Sequence, residues 1–544
     1  MAGHKACRPG TRPVLDTNLS AKSHSSLQQP ANSLLSIFAC RPMLRLWQNT
    51  RVNNTVIVEL FPLDVRIEAA RGTALADILA EYGVEFPCGG SDMCGGCRIR
   101  VLDGTLPAGI PDRCVFTEDE LAQGWRLACC ARAESSLKLE VGQWITPVLA
   151  DSAQLEGKGR TGLGIAVDVG TTTVAAQMLD LTSGQVLGLR TSLNPQCAHG
   201  ADVMSRVLFA LSDPRLTPLI RRTVGAMAAD LAGERSSELR EIVLAGNTVM
   251  HHLFSGLDVQ PLSHAPFVPH QTDEQLFTPA QLDWHLPQAC RVRFLPCIGG
   301  FVGSDILAGI LATGIAAGED LNALIDLGTN GEIVLANGHR ILCASTAAGP
   351  AFEGASIRMG MRAASGAVSH VFLQDEKLEC HVIGNSPARG ICGSGLVDAV
   401  AAGLDLRAIR PSGRMADGAQ EFPITGSVVI TQSDIRELQL AKAAIAAGMR
   451  LLLRRWGASH NQVASVHLAG AFGNYVRLES AVRIGLLEIA PCRITSAGNT
   501  ALRGAKMALL SPDLPFPGPI EHVPLASEPG FQETFIECIS FPDM

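Results

Sequence analysis

Two stretches of the chain repeat one order of strands and turns, and this repeat limits the possible folds more than any other feature. "GIAVDVGTTTVAAQMLDLTSGQVLGLRTS" (164–192) has the pattern of three strands, the first ending at Asp168 before a Gly/Thr turn. "NALIDLGTNGEIVLANGHRILCASTA" (322–347) repeats that order and ends its first strand at Asp326. Internal repeats indicate duplicated structural units. We therefore expect two similar α/β lobes.

A second pair of segments extends the repeat. "REIVLAGNTVMHHL" (240–253) and "ASVHLAGAFGNYVRL" (464–478) each have the pattern of a buried strand that runs through Leu-Ala-Gly into a helix. Each copy thus contains three strands, then helices and a further strand. The cleft between two such lobes is the expected ligand site, because ligand pockets form preferentially where compact units meet.

The turn after each Asp-ended strand has a composition suited to holding a phosphate. Glycine lets the backbone approach the phosphate, backbone N–H groups and Thr hydroxyls can donate to its oxygens, and an Asp carboxylate can hold Mg²⁺ directly or through water. One such turn arises by chance, whereas two at matching places can grip one triphosphate from both sides. The paired turns resemble the phosphate loops of the superfamily of acetate and sugar kinases, heat-shock-70 chaperones and actin. The alternative is that the glycines serve only tight turns and helix packing in a protein without nucleotide.

The superfamily resemblance implies further nucleotide contacts. "VHLAGAFGNYV" would be the adenosine loop, in which Gly470 and Gly473 allow the base and ribose to approach. "ARGICGSGLVDAVAAGL" (388–404) looks like a connecting helix entered through a Gly-rich turn, with Gly393 and Gly395 near the phosphates. The expected fold of this part of the chain is α/β: a two-lobed, actin-like (RNase H-like) ATPase.

Three cysteines in "FPCGGSDMCGGCRIRV" form the one tight thiol cluster of the chain. Cys88, Cys94 and Cys97 are separated by gaps of five and two residues. A plant-type [2Fe–2S] site takes three close cysteines and one distant cysteine. The alternative is a structural zinc site, but zinc knuckles usually pair two short Cys spacings or add histidines, and no His lies nearby. The spacing favours an iron–sulfur cluster.

The fourth ligand must come from downstream, and "WRLACCARA" supplies two thiols. We expect Cys129 to be the ligand, because "RLAC" after the helix-like "FTEDELAQGW" resembles the return loop of plant-type ferredoxins. Cys130 and Cys114 are the alternatives. The surrounding sequence alternates strand and helix patterns: "TVIVELFPLDVRIEA" is hairpin-like, "TALADILAEYG" has helical spacing, and "CRIRVLDG" and "SLKLEVG" are strand-like. These patterns predict a small β-rich domain, and the resemblance to plant-type ferredoxins implies a β-grasp ferredoxin-like fold for it, ahead of the ATPase.

The composition is that of a folded protein. Hydrophobic residues make up 47% and charged residues 18%, and the formal net charge of −8 gives no support to nucleic-acid binding. No window reaches the roughly 18 apolar residues of a membrane helix. The sixteen cysteines, scattered outside the one cluster, are typical of reduced thiols in the cytoplasm.

The first fifty residues are basic and rich in Ser, Asn and Gln, with Asp16 as the single acid. We expect a disordered or mis-started extension there, with Met43 as the true start; a transit peptide is the alternative. A polar, aperiodic stretch after the ferredoxin-like domain predicts a linker. The expected order of units is an extension (1–52), the [2Fe–2S] domain (53–145), a linker (146–162), a first lobe with the middle region (163–320), a second lobe (321–510) and a C-terminal tail (511–544).

Motifs through both halves resemble those of reductive activators of corrinoid proteins, iron–sulfur proteins that use ATP to return an inactive cob(II)amide to the cob(I)amide state. The resemblance covers nearly everything from about residue 54 to 510 and rests on "CGGSDMCGGC", "AVDVGTTTVAAQMLD", "NPQCAHGADVMSR", "LAGNTVMHHLF", "GFVGSDILAGIL", "DLGTNGEIVL", "GPAFEGASIRMGMRAASGAV" and "AGAFGNY". It implies a [2Fe–2S] cluster, ATP and Mg²⁺ as cofactors, and the corrinoid protein of a methyltransferase system as partner. Plant-type clusters have potentials of about −400 mV, and the resemblance implies that the cob(II)amide/cob(I)amide couple also lies low. Reducing cob(II)amide would therefore be energetically uphill, and ATP would supply the free energy.

The resemblance also implies roles for the residues of the two turns. Asp168 and Asp326 would hold Mg·ATP, and Glu332 would orient water. The phosphate oxygens would lie against Gly170, Thr171, Thr172, Gly328, Thr329 and Asn330. Because phosphoryl transfer mostly needs positioning and charge stabilisation, no nucleophilic side chain is required.

Three other functions fit parts of the sequence. A metabolite kinase with a redox-sensing ferredoxin domain would need a catalytic base and a substrate pocket, for which no clear candidate stands out. A dehydratase-type activator shares the ATPase but carries a [4Fe–4S] cluster between subunits, which the cysteine spacing disfavours. A pure electron carrier with a degenerate nucleotide site is disfavoured by the intact Asp168 and Asp326. The electron donor is not identified by the sequence, and a homodimer is one option for the assembly.

Overall fold

The structure is a computed structural model that describes most of the chain from Thr55 onward. The described residues are 55–61, 65–80, 97–140 and 151–543, except positions 152, 154, 158, 201, 329, 355, 364, 365 and 384–386. The predicted extension (1–52) and three predicted site residues, Cys88, Cys94 and Thr329, lie outside the described residues.

The first described domain is built on a five-stranded sheet with the strand order β2-β1-β7-β4-β5. The predicted hairpin forms, because β1 pairs antiparallel with β2, while β1 and β7 run parallel. The alternating Val56, Val58 and Leu60 point into the domain core. The elements are β1 (Thr55–Phe61), β2 (Val65–Ala70), β3 (Thr73–Ala74), α1 (Leu75–Ala80), β4 (Arg98–Asp103), α2 (Ile110–Val115), α3 (Glu118–Ala122), β5 (Trp125–Leu127), β6 (Arg132–Ala133) and β7 (Leu137–Glu140).

The first lobe contains a six-stranded sheet with the order β10-β9-β8-β11-β13-β12. Its strand β8 is almost wholly apolar and buried, as expected for a central strand covered on both faces. The elements are β8 (Leu163–Val169), β9 (Thr173–Asp180), β10 (Val186–Leu193), α4 (Val203–Ala210), α5 (Leu216–Ala232), β11 (Leu239–Gly246), α6 (Thr248–Ser255), β12 (Gln275–Phe277), β13 (Arg291–Phe294) and α7 (Ser304–Thr313).

The second lobe contains a six-stranded sheet with the order β23-β22-β14-β15-β16-β24. Its longest helix, α9, begins at a Thr431–Asp434 capping box and ends at Gly457 in the left-handed conformation. The elements are β14 (Asn322–Leu327), β15 (Gly331–Ala336), β16 (Ile341–Thr346), β17 (Ala367–Gln374), β18 (Lys377–Val382), β19 (Gly390–Ile391), α8 (Gly393–Asp405), β20 (Glu421–Thr425), β21 (Val428–Thr431), α9 (Gln432–Trp456), β22 (Ser465–Ala469), α10 (Gly470–Tyr475), α11 (Leu478–Arg483), β23 (Ile494–Gly498), α12 (Thr500–Leu510), β24 (Ile520–His522) and α13 (Phe531–Ile539).

The two large sheets have the same topology. In each, three antiparallel strands are followed by two parallel strands on the other side of the first, so that β8-β9-β10-β11-β13 corresponds to β14-β15-β16-β22-β23. Strand β8 ends beside Asp168, and strand β14 ends beside Asp326. The repeat that the sequence predicts is therefore a repeat of strand order.

Two helices are exchanged between the lobes. Helix α7 follows the first sheet in the chain and keeps Ala308 in the first-lobe core, but its Ile306 and Ile310 pack in a core with Leu324 of the second sheet. Helix α12 follows the second sheet, yet Leu502 and Leu509 pack against strands β8, β9 and β11 of the first. The helices cross closely, because a Cβ at Gly504 of α12 would lie 2.1 Å from the carbonyl oxygen of Ala308 in α7.

The segments predicted as a linker and a tail are tied to the ATPase lobes. Asp151 is buried and pairs with Arg503 and Lys506 of α12. Near the C-terminus, β24 pairs in parallel with β16, and Cys538 of α13 packs against Ala443 of α9. None of the described helices is long and apolar enough to cross a membrane.

Candidate functional site

A cleft of about 230 Å³ lies where the two sheets meet. The ends of strands β8 and β14 bring Asp168 and Asp326 into its lining, together with Glu332 from β15. The other predicted residues that line it are Gly170, Thr171, Thr172, Gly328, Asn330 and Gly470. The two Asp-Gly-Thr turns therefore face one space, as a shared ligand requires.

The carboxylate of Asp168 is oriented by an amide from the exchanged helix α12. Asn499 is the N-cap of α12: its side-chain oxygen accepts a hydrogen bond from the backbone N–H of Leu502 at 2.8 Å. Its Nδ2 donates to Oδ2 of Asp168 at 2.9 Å. One side chain thus satisfies the helix end and fixes the carboxylate.

The hydroxyls of the first turn are also held by partners. Nδ2 of Asn247, the N-cap of α6, donates to Oγ1 of Thr171 at 2.9 Å. Oγ1 of Thr172 donates to Oε2 of Glu353 at 3.3 Å. Glu353 belongs to the second lobe, so this bond crosses the cleft.

Four carboxyl groups in and around the cleft have raised pKa values. Burial raises the pKa of Asp168 to about 6, although the hydrogen bond from Asn499 opposes the shift. Burial, and then the charge of Asp168, raise the pKa of Asp326 to about 7. For Asp305, on α7, burial and then the charge of Asp326 raise the pKa to about 8. Burial, and then the charges of Asp305 and Asp326, raise the pKa of Glu332 well above its usual value.

This donor set fits a divalent cation. The part of the lining that the structure describes contains no Lys or Arg. Among these residues, no cationic side chain balances the carboxyl charges in the cleft. Mg²⁺ prefers oxygen ligands, and a nearby cation favours the ionised form of each carboxyl. Asp168 and Asp326 stay the predicted Mg²⁺ ligands, and the turns beside them stay the predicted phosphate-binding groups.

Glycine is required at Gly470 by the close approach of two chain segments. Its φ is +84°, and a Cβ there would lie 2.5 Å from Oδ1 of Asp326 and 2.6 Å from the carbonyl oxygen of Leu327. A side chain at this position would displace the carboxylate. The left-handed conformation and the contact both explain why the chain has glycine where α10 meets the cleft.

Three other predicted glycines have a packing role in the structure. A Cβ at Gly393 would lie 1.8 Å from the carbonyl oxygen of Phe352, and one at Gly395 would lie 2.2 Å from that of Val368. Gly473 packs against Leu468 within the second lobe. Among the described residues, the cleft lining does not include these glycines. Their assignment to the nucleotide stays a prediction.

Sequence analysis did not single out Asp305, Asn247, Asn499 or Glu353. The two asparagines carry a recognisable signal, because Ala-Gly-Asn-Thr occurs at 245–248 and again at 497–500. Each copy follows a strand, and each Asn caps the next helix and donates to the cleft. The signal for Asp305 is weaker: it is an acidic residue in the first turn of an otherwise apolar helix.

The candidate iron–sulfur centre is described in part. Cys97 is buried, and its carbonyl oxygen accepts a hydrogen bond from the backbone N–H of Ala128 at 2.9 Å. This bond places Cys97 beside the short turn that contains Cys129 and Cys130. Cys129 is half-buried and packs against the domain core, whereas Cys130 is exposed. Cys97 and this turn are neighbours in the backbone, as ligands of one [2Fe–2S] cluster must be, and burial favours Cys129 over Cys130; Cys114 is exposed on α2.

Three family models match successive parts of the chain. The model described as "2Fe-2S iron-sulfur cluster binding domain" matches residues 58–134. "RACo middle region" matches residues 163–317, and "C-terminal domain of RACo the ASKHA domain" matches residues 320–544. ASKHA denotes the acetate and sugar kinase, heat-shock-70 and actin superfamily. These matches confirm the predicted fold class and, with it, [2Fe–2S], ATP and Mg²⁺ as cofactors.

Two relatives and one solved structure agree with these models. The chain is 35% identical over 419 residues to "Corrinoid activation enzyme RamQ" of Eubacterium limosum, covering 70% of each chain. It is 27% identical over 385 residues to "[Co(II) methylated amine-specific corrinoid protein] reductase" of Methanosarcina barkeri, covering 64% of this chain and 70% of the relative. A solved structure, "Reductive activator for corrinoid,iron-sulfur protein", superposes with a TM-score of 0.62 at 27% identity and covers 90% of this chain and 98% of its own.

Proposed function

The chain belongs to the family of reductive activators of corrinoid proteins, and from this premise we propose that it passes electrons from its [2Fe–2S] cluster to a cob(II)amide-bearing corrinoid protein. The product is the cob(I)amide state, and ATP supplies the free energy of the uphill step. The corrinoid protein belongs to a methyltransferase system. When bound, the cluster supplies one-electron transfer at a low potential.

Different cleft residues bind the metal, the phosphates and the water that takes part in ATP hydrolysis. Asp168 and Asp326 hold Mg²⁺, Thr171 and Thr172 donate to phosphate oxygens, and the backbone at Gly170 and Gly328 allows close approach. The second turn adds Thr329 and Asn330. Asn499 and Asn247 orient Asp168 and Thr171, so that these groups are fixed before ATP arrives, which is what phosphoryl transfer mostly requires. Glu332, held by the hydroxyl of Ser345 at 3.1 Å, is the candidate for orienting water.

The single observation that supports this proposal is the meeting of two Asp-ended strands, one from each lobe, in one acidic cleft. A pure electron carrier that does not bind ATP would not require such a cleft. Closure of the lobes around Mg·ATP is a movement that can be transmitted to the iron–sulfur domain of the same chain.

The direct test is anaerobic and uses the full chain with its cluster. The chemically reduced protein is mixed with a cob(II)amide-loaded corrinoid protein, and the cob(I)amide absorbance is followed with and without Mg·ATP. We expect cob(I)amide to accumulate only with Mg·ATP. A phosphorylated metabolite in place of cob(I)amide would instead support the metabolite-kinase alternative.

A matched pair of cysteine variants tests the cluster ligands. We expect Cys129→Ser to lose the [2Fe–2S] absorbance and cob(I)amide formation, with Cys88, Cys94 and Cys97 as the other ligands. Cys130→Ser, one residue away and exposed, should retain both. The reverse result would move the ligand to Cys130. A homodimeric assembly and a cytoplasmic location stay predictions.

A further inference from the structure

A buried carboxylate ties the chain that follows the iron–sulfur domain to the exchanged helix α12. Asp151 is 3% exposed. Its Oδ1 accepts a hydrogen bond from Nε of Arg503 at 2.9 Å, and its Oδ2 pairs with Nζ of Lys506 at 2.6 Å. Nζ of Lys506, itself fully buried, also donates to the carbonyl oxygen of Ala153 at 3.0 Å. Gln177 donates to the carbonyl oxygen of Asp151 at 3.0 Å.

The same face of α12 reaches the nucleotide cleft. Asn499, Arg503 and Lys506 are spaced by four and three residues, which places them in one row along a helix. Seven residues of helix span about 10 Å. The amide that holds Asp168 and the ammonium that holds Asp151 therefore lie at two points of one short, rigid element.

Helix α12 has little freedom to move alone. Its Gly504 lies against the backbone of α7, which carries Asp305 into the cleft, and Leu509 lies against Gly164 of strand β8. A change in the cleft that displaces α12 therefore displaces the Asp151 attachment as well, because a packed interior transmits displacement rather than absorbing it.

Asp151 also sets where the iron–sulfur domain is tethered. Strand β7 of that domain ends at Glu140. The eleven peptide units from Glu140 to Asp151, called the tether below, can span at most about 40 Å, so Asp151 limits how far the end of β7 can lie from α12. A second contact lies on the other side: Arg389 of the second lobe pairs with Glu120 of α3 and lies over the ring of Trp125.

We propose that Asp151 is a positioning residue for ATP-dependent electron transfer, coupling α12 and the nucleotide carboxylate Asp168 to the tether of the iron–sulfur domain. Asp168 and Asn499 would hold α12 in a different position when Mg·ATP is bound, and the Asp151–Lys506 attachment of the tether would shift with the helix. This inference rests on the proposed function and adds the element through which ATP acts on the cluster domain.

The first measurement is hydrogen–deuterium exchange on the full chain with its cluster. We expect Mg·ATP to change the exchange of peptides covering residues 151–162 and α12. This readout needs no corrinoid protein, so it stands even if cob(I)amide fails to form and the proposed acceptor is wrong. If Mg·ATP binds and leaves the exchange of 151–162 unchanged, the coupling is excluded.

The second measurement uses the double variant Asp151→Asn/Lys506→Met, which removes both charges so that neither is left buried alone. We expect ATP hydrolysis within about twofold of the parent, whereas cob(I)amide formed per ATP falls at least about tenfold and the nucleotide-dependent exchange change at 151–162 is lost. Asp151→Glu should restore part of the coupling, since it keeps the charge.

Asp398→Asn is the matched control. Asp398 is a fully buried carboxylate in the second lobe, and its hydrogen-bond partners among the described residues are His370 and the backbone of Val371 rather than groups of α12. It should leave the ratio of cob(I)amide to ATP unchanged. The proposal is overturned if the double variant keeps that ratio, or if hydrolysis and electron transfer fall together in both variants.

Discussion

The two lobes share one strand order but hold their aspartates differently. Asp168 of the first lobe accepts a hydrogen bond from Asn499, and its pKa is raised only to about 6. Within the part of the chain that the structure describes, no such donor holds Asp326, and its pKa is raised to about 7. The duplicated backbone thus provides two similar places for a carboxylate, and the amide of Asn499 at the start of α12 makes them different.

The largest expected effect comes from removing either carboxylate. Asp168→Asn and Asp326→Asn should each lower Mg²⁺-dependent ATP hydrolysis by at least about 100-fold, because each removes charge that positions the metal and phosphates. Phosphate release at saturating ATP measures this. Similar losses in both variants would mean that the lobes act on one metal; a loss in one alone would break the equivalence of the turns.

The crossing of the exchanged helices gives the next effect. Gly504→Ala should destabilise the ATPase by about 1–3 kcal/mol, because the new methyl meets the backbone of Ala308. Gly309→Ala, on α7, meets the movable end of Leu324 at 2.8 Å and should cost less. Urea unfolding followed by lobe-specific hydrogen exchange measures both variants. Equal losses of unfolding free energy would show that α7 and α12 can separate enough to accommodate a methyl group at Gly504.

The lobes should also differ in their response to acid. Helix α6 of the first lobe carries His251 and His252, both buried, whereas the corresponding α10 has no His. Burial lowers the pKa of His251 to about 3 and lowers that of His252. Unfolded His takes up a proton near pH 6.5, so the unfolded state binds more protons below that pH, and stability falls on acidification from about 6.5 toward 3.

The expected slope is about 1.4 kcal/mol per pH unit for each neutral buried His. Burial also lowers the pKa of His460, His467 and His522 in the second lobe, but the lowering at His251 is the largest, so hydrogen exchange between pH 7 and 5 should show the first lobe opening before the second. His251→Phe, which keeps an aromatic ring beside Phe294, should reduce the slope. An equal pH response of both lobes would contradict the assignment to these histidines.

The smallest effect separates the two capping asparagines. Asn499→Ala and Asn247→Ala should each cost about 1 kcal/mol of helix stability through the lost cap. Only Asn499→Ala should also raise the pKa of Asp168 and move the acidic limb of the ATPase pH profile to higher pH, because its hydrogen bond favours the ionised carboxyl. The pH dependence of hydrolysis by the two variants is the measurement, and identical shifts would contradict this role.

The sequence predicted the parts of the site that are local in the chain. Asp168 and Asp326 stand at the end of apolar strands, and the strand, turn and ligand residue all lie within a few positions, so one pattern contains the whole unit. Asp305 and Asn499 could not be found in that way. Each begins a helix that packs on the opposite lobe, and only the tertiary exchange of α7 and α12 brings them to the cleft.

Glycines show a different limit. Gly470 and Gly393 look alike in the sequence, since each opens a helix after a strand. The structure places Gly470 against the carboxylate of Asp326 but Gly393 against the backbone of Phe352. The absence of a side chain shows that something comes close, and only the fold shows whether that is a site residue or a neighbouring chain segment.

The exchange of helices has a consequence for the order in which the protein is made. The apolar face of the first sheet is covered by Leu502, Ala505 and Leu509, and nearly 200 residues separate the end of α7 at Thr313 from the end of α12 at Leu510. At about 5–20 residues per second, the ribosome takes about 10–40 s to bridge that distance. During this interval the nascent first lobe exposes an uncovered apolar sheet face, and we expect a chain truncated between α7 and α12 to aggregate for the same reason.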